Sequence, residues 1–124
     1  MTDRSGVVAA VDLGATSGRV VLGRIGPDRI DIEVVHRFPN RAVRIADGLH
    51  WDILGLYREV LEGLRRAVAA EPDLRSIGID SRAVDYGLFR RDRLIGCPYH
   101  YRDQRTPVVS NSFTASSTRP PCMP

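Results

Sequence analysis

Residues 7–25 read VVAAVDLGATSGRVVLGRI. An apolar, β-prone run ends at an acid, Asp12, then passes through small and hydroxylated residues into a second apolar run. The pattern predicts a buried strand over 7–13, a tight turn, and a second strand over 19–25. Gly26-Pro27-Asp28 supplies turn residues, and RIDIEVVHRF (29–38) alternates as a third strand, with Ile30, Ile32, Val34 and His36 on one face. Three strands joined by tight turns make an antiparallel meander.

The segment 39–50, PNRAVRIADGLH, reads as a loop. After it, WDILGLYREVLEGLRRAVAAEP (51–72) has helical periodicity, with Ile53, Tyr57, Val60, Leu61, Leu64 and Val68 on one face. Asp52 stands at the helix start, where a carboxylate suits the dipole, and Pro72 marks the stop. LRSIGID (74–80) predicts a fourth strand, again ending in an acid, and 86–96 reads as a hairpin around Arg91-Asp92. The order β-β-β-α-β implies an α/β fold with a mixed sheet. A doubly wound fold, which alternates strand and helix from the start, fits less well.

Composition narrows the class. At 124 residues with 43% apolar content the chain is long enough for a globular core. No apolar run approaches the roughly 18–20 residues of a membrane span, and the polar start MTDRSG has no signal-peptide pattern, so a cytoplasmic location is expected. Cys97 and Cys122 have no metal-type spacing and read as plain thiols. The formal charge is +3, and all eighteen basic residues are arginine. They are scattered, with the densest group at Arg90, Arg91 and Arg93 in a turn, which argues against nucleic acid as a partner. From 107 the chain changes character: six Ser or Thr, four Pro and no acid in eighteen residues read as a disordered tail.

Three stretches carry chemistry. In the first, Asp12 leads into Gly14-Ala15-Thr16-Ser17-Gly18-Arg19. Backbone N–H groups, two hydroxyls and a guanidinium around one small volume suit phosphate oxygens, and the small residues allow close approach. Asp12 would repel phosphate itself and is suited instead to a magnesium ion. The turn is neither a Walker loop nor GxGxxG, and a plain β-turn with a polar strand end is the alternative. The second is SIGIDSRAVDYG (76–87), where Asp80 and Asp85 follow a buried strand. They suit sugar hydroxyls, or serve as strand-end and turn carboxylates. The third is PYHYRDQRT (98–106), a polar ligand wall or a surface loop with an Arg–Asp pair. His36 and His50 have no acid partner in the pattern and read as structural, and Trp51 reads as packing.

Taken in order, AVDLGATSGRVVLG, HRFPN, LHWDILGLYREVLEGL, SIGIDSRAVDYGL and PYHYRDQRT resemble the opening of the rhamnulokinases, in the FGGY family of carbohydrate kinases, over about Val7 to Thr106. The resemblance implies the first part of an RNase H-like, actin-type ATPase domain over 1–106. It also implies transfer of the ATP γ-phosphoryl group to the 1-hydroxyl of L-rhamnulose. Ala15, Thr16, Ser17, Gly18 and Arg19 would then line the ATP phosphate site with Gly14, and Asp12 would lie near magnesium. Ala83 would contact the sugar through its backbone, with Asp85 close by.

Two departures accompany it. Where the family reads Ser/Thr-Trp-Ala/Gly, this chain reads Ser81-Arg82-Ala83, which alters the sugar wall. The family's catalytic base, in a His-Asp-Thr-Ala block, does not occur in these residues, and neither does the adenine-binding region. The expectation is therefore an incomplete kinase unit without its base, its tail the product of a frameshift or truncation. The alternatives are a non-catalytic remnant with weak nucleotide or phosphate binding, or another actin-like ATPase-fold sugar kinase. Oligomeric state is not legible.

Overall fold

A computed structural model of the chain describes residues 5–46 and 48–105. Cys122 and the whole 107–124 segment lie outside the described residues. The chain divides into two compact units, one of residues up to Arg41 together with Asp52–Val84, the other of Ala42–Trp51 together with the residues from Asp85 onward.

The first unit is the expected meander, helix and strand. Strands β1 (Gly6–Leu13), β2 (Ser17–Ile25) and β3 (Ile30–Pro39) pair antiparallel, and β6 (Ser76–Ser81) joins the far side of β1 in parallel, giving the order β3-β2-β1-β6. Helix α1 (Ile53–Ala70) precedes β6 in this unit. This mixed α/β sheet has the β-β-β-α-β order that the resemblance implies. The second strand begins two residues earlier than the sequence suggests, so the turn shrinks to Gly14–Thr16.

The core lies on one face of the sheet. Ala9 and Val11 of β1, Val20 and Leu22 of β2, Phe38 of β3 and Ala67 of α1 are buried together, with Leu56, Val60 and Leu64 of the helix packed against them. The helix face is therefore rotated from the expected one: Tyr57 is 63% exposed and Val68 48%. The cause is the small pair Gly63 and Ala67, which lets the helix sit directly on β2. A Cβ at Gly63 would come within 2.3 Å of the Val20 side chain. Asp52 caps the helix, its carboxylate accepting the Gly55 N–H at 2.9 Å.

The expected face of the third strand is split by a bulge. The β2–β3 register shifts between Val20 and Val21, which pair with His36 and Val34, so Val35 is the extra residue. Ile30, Ile32 and Val34 then stay on the face away from the helix, at 64%, 72% and 46% exposure. His36 turns toward α1, where its Nε2 lies 3.0 Å from a Glu59 carboxylate oxygen. His36 thus has an acid partner that its sequence neighbourhood does not reveal.

In the second unit, the segment expected as a loop contains a hairpin, β4 (Ala42–Ile45) and β5 (Gly48–Trp51). Its alternation, Ala-Val-Arg-Ile and Gly-Leu-His-Trp, is too short to stand out as strand. Trp51 is buried and stacks near His100, ring centroids 4.0 Å apart, and His100 stacks on Tyr101 at 4.5 Å. A second hairpin, β7 (Phe89–Arg90) and β8 (Arg93–Leu94), turns at Arg91-Asp92 as expected. Both turn residues have positive φ, 48° and 62°, the geometry of a tight two-residue hairpin.

Among the described residues no helix is long and apolar enough to cross a membrane. Cys97 is an exposed free thiol.

Candidate functional site

The register of the four-stranded sheet assembles the site. Asp12 of β1 stands opposite Arg19 of β2 in the antiparallel pair and opposite Asp80 of β6 in the parallel pair. Directly paired residues carry their side chains on the same face. Arg19, Asp12 and Asp80 therefore form one row across three strands. Because Ala9 and Val11 face the core and side chains alternate, this row lies on the face away from α1, beside the Gly14–Thr16 turn.

Two of the three side chains are already in contact. Arg19 grips one oxygen of Asp12 through Nε at 2.8 Å and Nη2 at 2.7 Å. Both are about half exposed, so the pair contributes only about 0–1 kcal/mol to stability. Its significance is positional: a cation and a carboxylate meet at the mouth of a Gly-rich turn. Asp80 accepts the Ser81 N–H at 2.9 Å through Oδ1.

The turn has little room for side chains. A Cβ at Gly14 would lie 2.7 Å from the Ser17 carbonyl oxygen. One at Gly18 would lie 2.3 Å from the Phe38 ring. Gly18 is buried and faces the core, so its missing side chain accommodates Phe38. That differs from the expected reason, close approach of a ligand, and places Gly18 on the opposite face from Arg19.

Two residues outside the expected set also reach the turn. Asn40, 3% exposed, donates from Nδ2 to the Gly14 carbonyl at 2.8 Å, and its own N–H donates to the Thr16 carbonyl at 2.9 Å. Its buried Oδ1 finds no partner within the described residues, an acceptor that a bound water or ligand donor would satisfy. Arg82 donates through Nη1 to the Leu13 carbonyl at 3.1 Å and to the Gly14 carbonyl. Asn40 belongs to the HRFPN stretch, whose ending beside a strand was the available hint; Arg82 was visible only as a departure from the family pattern.

Ala83 is exposed in the segment after β6, in the same unit as Asp12, whereas Asp85 belongs to the second unit. The PYHYRDQRT stretch forms a structural knot in that second unit. Asp103, 6% exposed, accepts the Leu49 N–H at 2.7 Å, the Arg105 N–H at 3.0 Å and the Arg105 guanidinium at 3.1 Å. These donors, the Leu49 amide first, hold its carboxyl below the ordinary value. A hollow of about 620 Å³ lies beside it, lined by Arg44, Ile45, Leu49, Arg102 and Arg105 among others.

Asp12 and Asp80 offer hard carboxylate oxygens side by side, and no cluster of three or more potential ligands occurs among the described residues. Magnesium characteristically takes one or two carboxylates and completes its shell with water and substrate phosphates. The donor set of the row fits that habit.

No protein-family model matches the chain. Individual proteins do. Over 111 residues the chain is 39% identical to a rhamnulokinase of Bacteroides thetaiotaomicron, the match covering 89% of this chain and 23% of that protein. It is 42% identical over 117 residues to a rhamnulokinase of Pectobacterium carotovorum, covering 90% and 23%. A rhamnulokinase of Bacillus subtilis is 36% identical over 102 residues, covering 81% and 21%.

The chain is similar to the rhamnulokinases. The chain thus spans less than a quarter of the length of these rhamnulokinases. The shared segment corresponds to their N-terminal part. It includes both the Gly14–Thr16 turn and the β6 strand, because the match takes in about nine-tenths of this chain.

Proposed function

We propose that the row Arg19–Asp12–Asp80 and the adjoining turn are the nucleotide-phosphate and magnesium half of an ATP-dependent sugar kinase whose substrate is L-rhamnulose, phosphorylated at its 1-hydroxyl. The observation that carries the reading is the convergence of Asp12, Arg19 and Asp80 on one sheet face at the Gly-rich turn. The similarity to rhamnulokinases supports the reaction and the sugar.

Phosphoryl transfer asks a protein chiefly to position the reactants and stabilise charge on phosphoryl oxygens. The amides and hydroxyls of Ala15, Thr16 and Ser17 would hold the phosphates, and Arg19 would supply a planar, charge-assisted donor. Asp12, with Asp80, would hold magnesium, which when bound neutralises phosphate charge and fixes its geometry. For Arg19 to reach phosphate it must release Asp12, and the low cost of that half-exposed pair makes the exchange easy. Ala83 and Asp85 would contribute to the sugar side. Arg82, standing where the family carries a tryptophan, changes the polarity of that wall.

The base-bearing block of the kinase family does not occur in these residues, and we assign none of them as general base for the sugar hydroxyl. Asp12 and Asp80 would be committed to the metal, so the 124 residues by themselves should bind MgATP without turning it over. A coupled ADP-release assay with L-rhamnulose tests this. The expected rate equals that of Asp12→Ala; sugar-dependent turnover above that background would show that the chain carries a base after all. A non-catalytic nucleotide-binding remnant is the second reading, favoured by the same missing base.

A further inference from the structure

Three carbonyl groups around the turn are tied by residues outside it. Arg82 Nη1 holds those of Leu13 and Gly14, Asn40 Nδ2 holds that of Gly14 as well, and the Asn40 N–H holds that of Thr16. The Gly14 carbonyl is thus bound twice, by side chains arriving from two different segments, the end of β3 and the end of β6. Asn40 is buried and Arg82 half-buried, so water competes weakly for these bonds.

A tied carbonyl also fixes an amide. All peptide bonds of the described chain are trans, and in a trans peptide the N–H points opposite to the C=O of the same plane. Holding the Leu13, Gly14 and Thr16 carbonyls therefore sets the directions of the Gly14, Ala15 and Ser17 N–H groups, each pointing away from its tie. Two of them, Ala15 and Ser17, are amides that the proposed phosphate site uses.

We infer that Arg82 and Asn40 are positioning residues that preset the peptide planes of the Gly14–Thr16 turn for phosphate oxygens. The consequence for ligand binding rests on the kinase reading; the presetting itself does not. Arg82 suits the task because its guanidinium offers several donors from one rigid plane, so two carbonyls are served at once. The substitution that distinguishes this chain from the family pattern thus acts on the phosphate turn as well as on the sugar wall. In such a site preorganisation raises affinity by removing the ordering cost from the binding step.

The test measures ¹⁵N relaxation of the Gly14, Ala15 and Ser17 amides in the nucleotide-free 124-residue chain, then MgATP affinity by calorimetry. In the parent chain the three order parameters should match rigid backbone, about 0.85; in Arg82→Ala or Arg82→Trp those of Gly14 and Ala15 should fall toward about 0.6, while that of Ser17, set by the Asn40 backbone amide, should hold. Asn40→Asp, whose ionised side chain cannot donate to Gly14, should lower the Ala15 value. Arg82→Lys, which keeps a cationic donor, should retain most of the order. Melting temperature and the amides of β1 and β2 should change little, which separates loosening of the turn from general unfolding. MgATP should bind about tenfold more weakly to the Ala, Trp and Asp variants. Unchanged order parameters in all of them would overturn the inference. Amides that are rigid in the parent chain and loosen in the variants, with no MgATP binding by the parent, would leave the presetting standing and refute the kinase reading instead.

Discussion

The Asp12 carboxylate and the Arg19 guanidinium meet across the first two strands at 2.7 Å, on the sheet face that the helix leaves uncovered. Their juxtaposition follows from the strand register alone: Asp12 pairs with Arg19 as Leu13 pairs with Gly18 and Val11 with Val20. The core pairs lock the register, and the register delivers the charged pair to the turn. Replacing Arg19 with Gln should consequently cost little stability, less than about 1 kcal/mol in chemical denaturation, because both partners are well solvated. MgATP binding should nevertheless weaken by about tenfold or more, since a charge-assisted phosphate contact is lost. A large stability loss with unchanged affinity would reverse this assignment of roles.

Gly63 sets the distance between helix and sheet. Gly63→Val would drive a branched side chain into Val20, whose atoms already lie within 2.3 Å of a Cβ at that position. Overpacking of this kind costs about 1–3 kcal/mol, readable as a lowered denaturation midpoint. Because Val20 adjoins Arg19, the same variant should also weaken nucleotide binding.

The Asp52 cap offers a milder perturbation. Asp52→Ala removes the acceptor for the Gly55 N–H and should cost about 1 kcal/mol. Helical circular dichroism should fray at the N-terminal turn while MgATP affinity stays unchanged, since the cap contacts no part of the turn. A loss of binding equal to that of Arg19→Gln would place Asp52 in the site.

Much of this architecture is legible in the sequence, and the exceptions have identifiable causes. The meander, the helix and the fourth strand are visible because each presents a long apolar period. The β4–β5 hairpin is not, because four-residue strands rich in Arg, His and Gly give no period to detect. The split of Ile30, Ile32 and Val34 from His36 depends on one bulge at Val35, and a single inserted residue leaves no compositional trace. Within the site, Asp12 and the small residues of the turn stand out locally. Asp80 requires the parallel register with β1, and Asn40 and Arg82 require knowing that the ends of β3 and β6 arrive at the same carbonyl, that of Gly14.

The second unit should have its own acid limit. The Asp103 carboxyl is held below its ordinary value chiefly by the Leu49 and Arg105 amides. A group depressed on folding stabilises the fold above its unfolded value, and that contribution disappears as pH falls through the folded value. Fluorescence of the single tryptophan, Trp51, in the same unit, should report an acid transition below about pH 4. Asp103→Asn should lower stability at neutral pH and flatten this acid limb; an acid limb identical to that of the parent chain would assign the transition to other groups.

On the proposed reading the Gly14–Thr16 turn and the Asp12–Asp80 pair form a magnesium–nucleotide phosphate site. The most direct measurement is a map of amide chemical-shift changes on titrating the chain with MgATP. Saturable changes should concentrate at Gly14–Arg19 and at Asp80–Arg82, depend on magnesium and be abolished in Asp12→Ala. Changes confined to the arginine-lined hollow near Arg44 and Arg102, or changes indifferent to Asp12, would rule out a phosphate site at this turn.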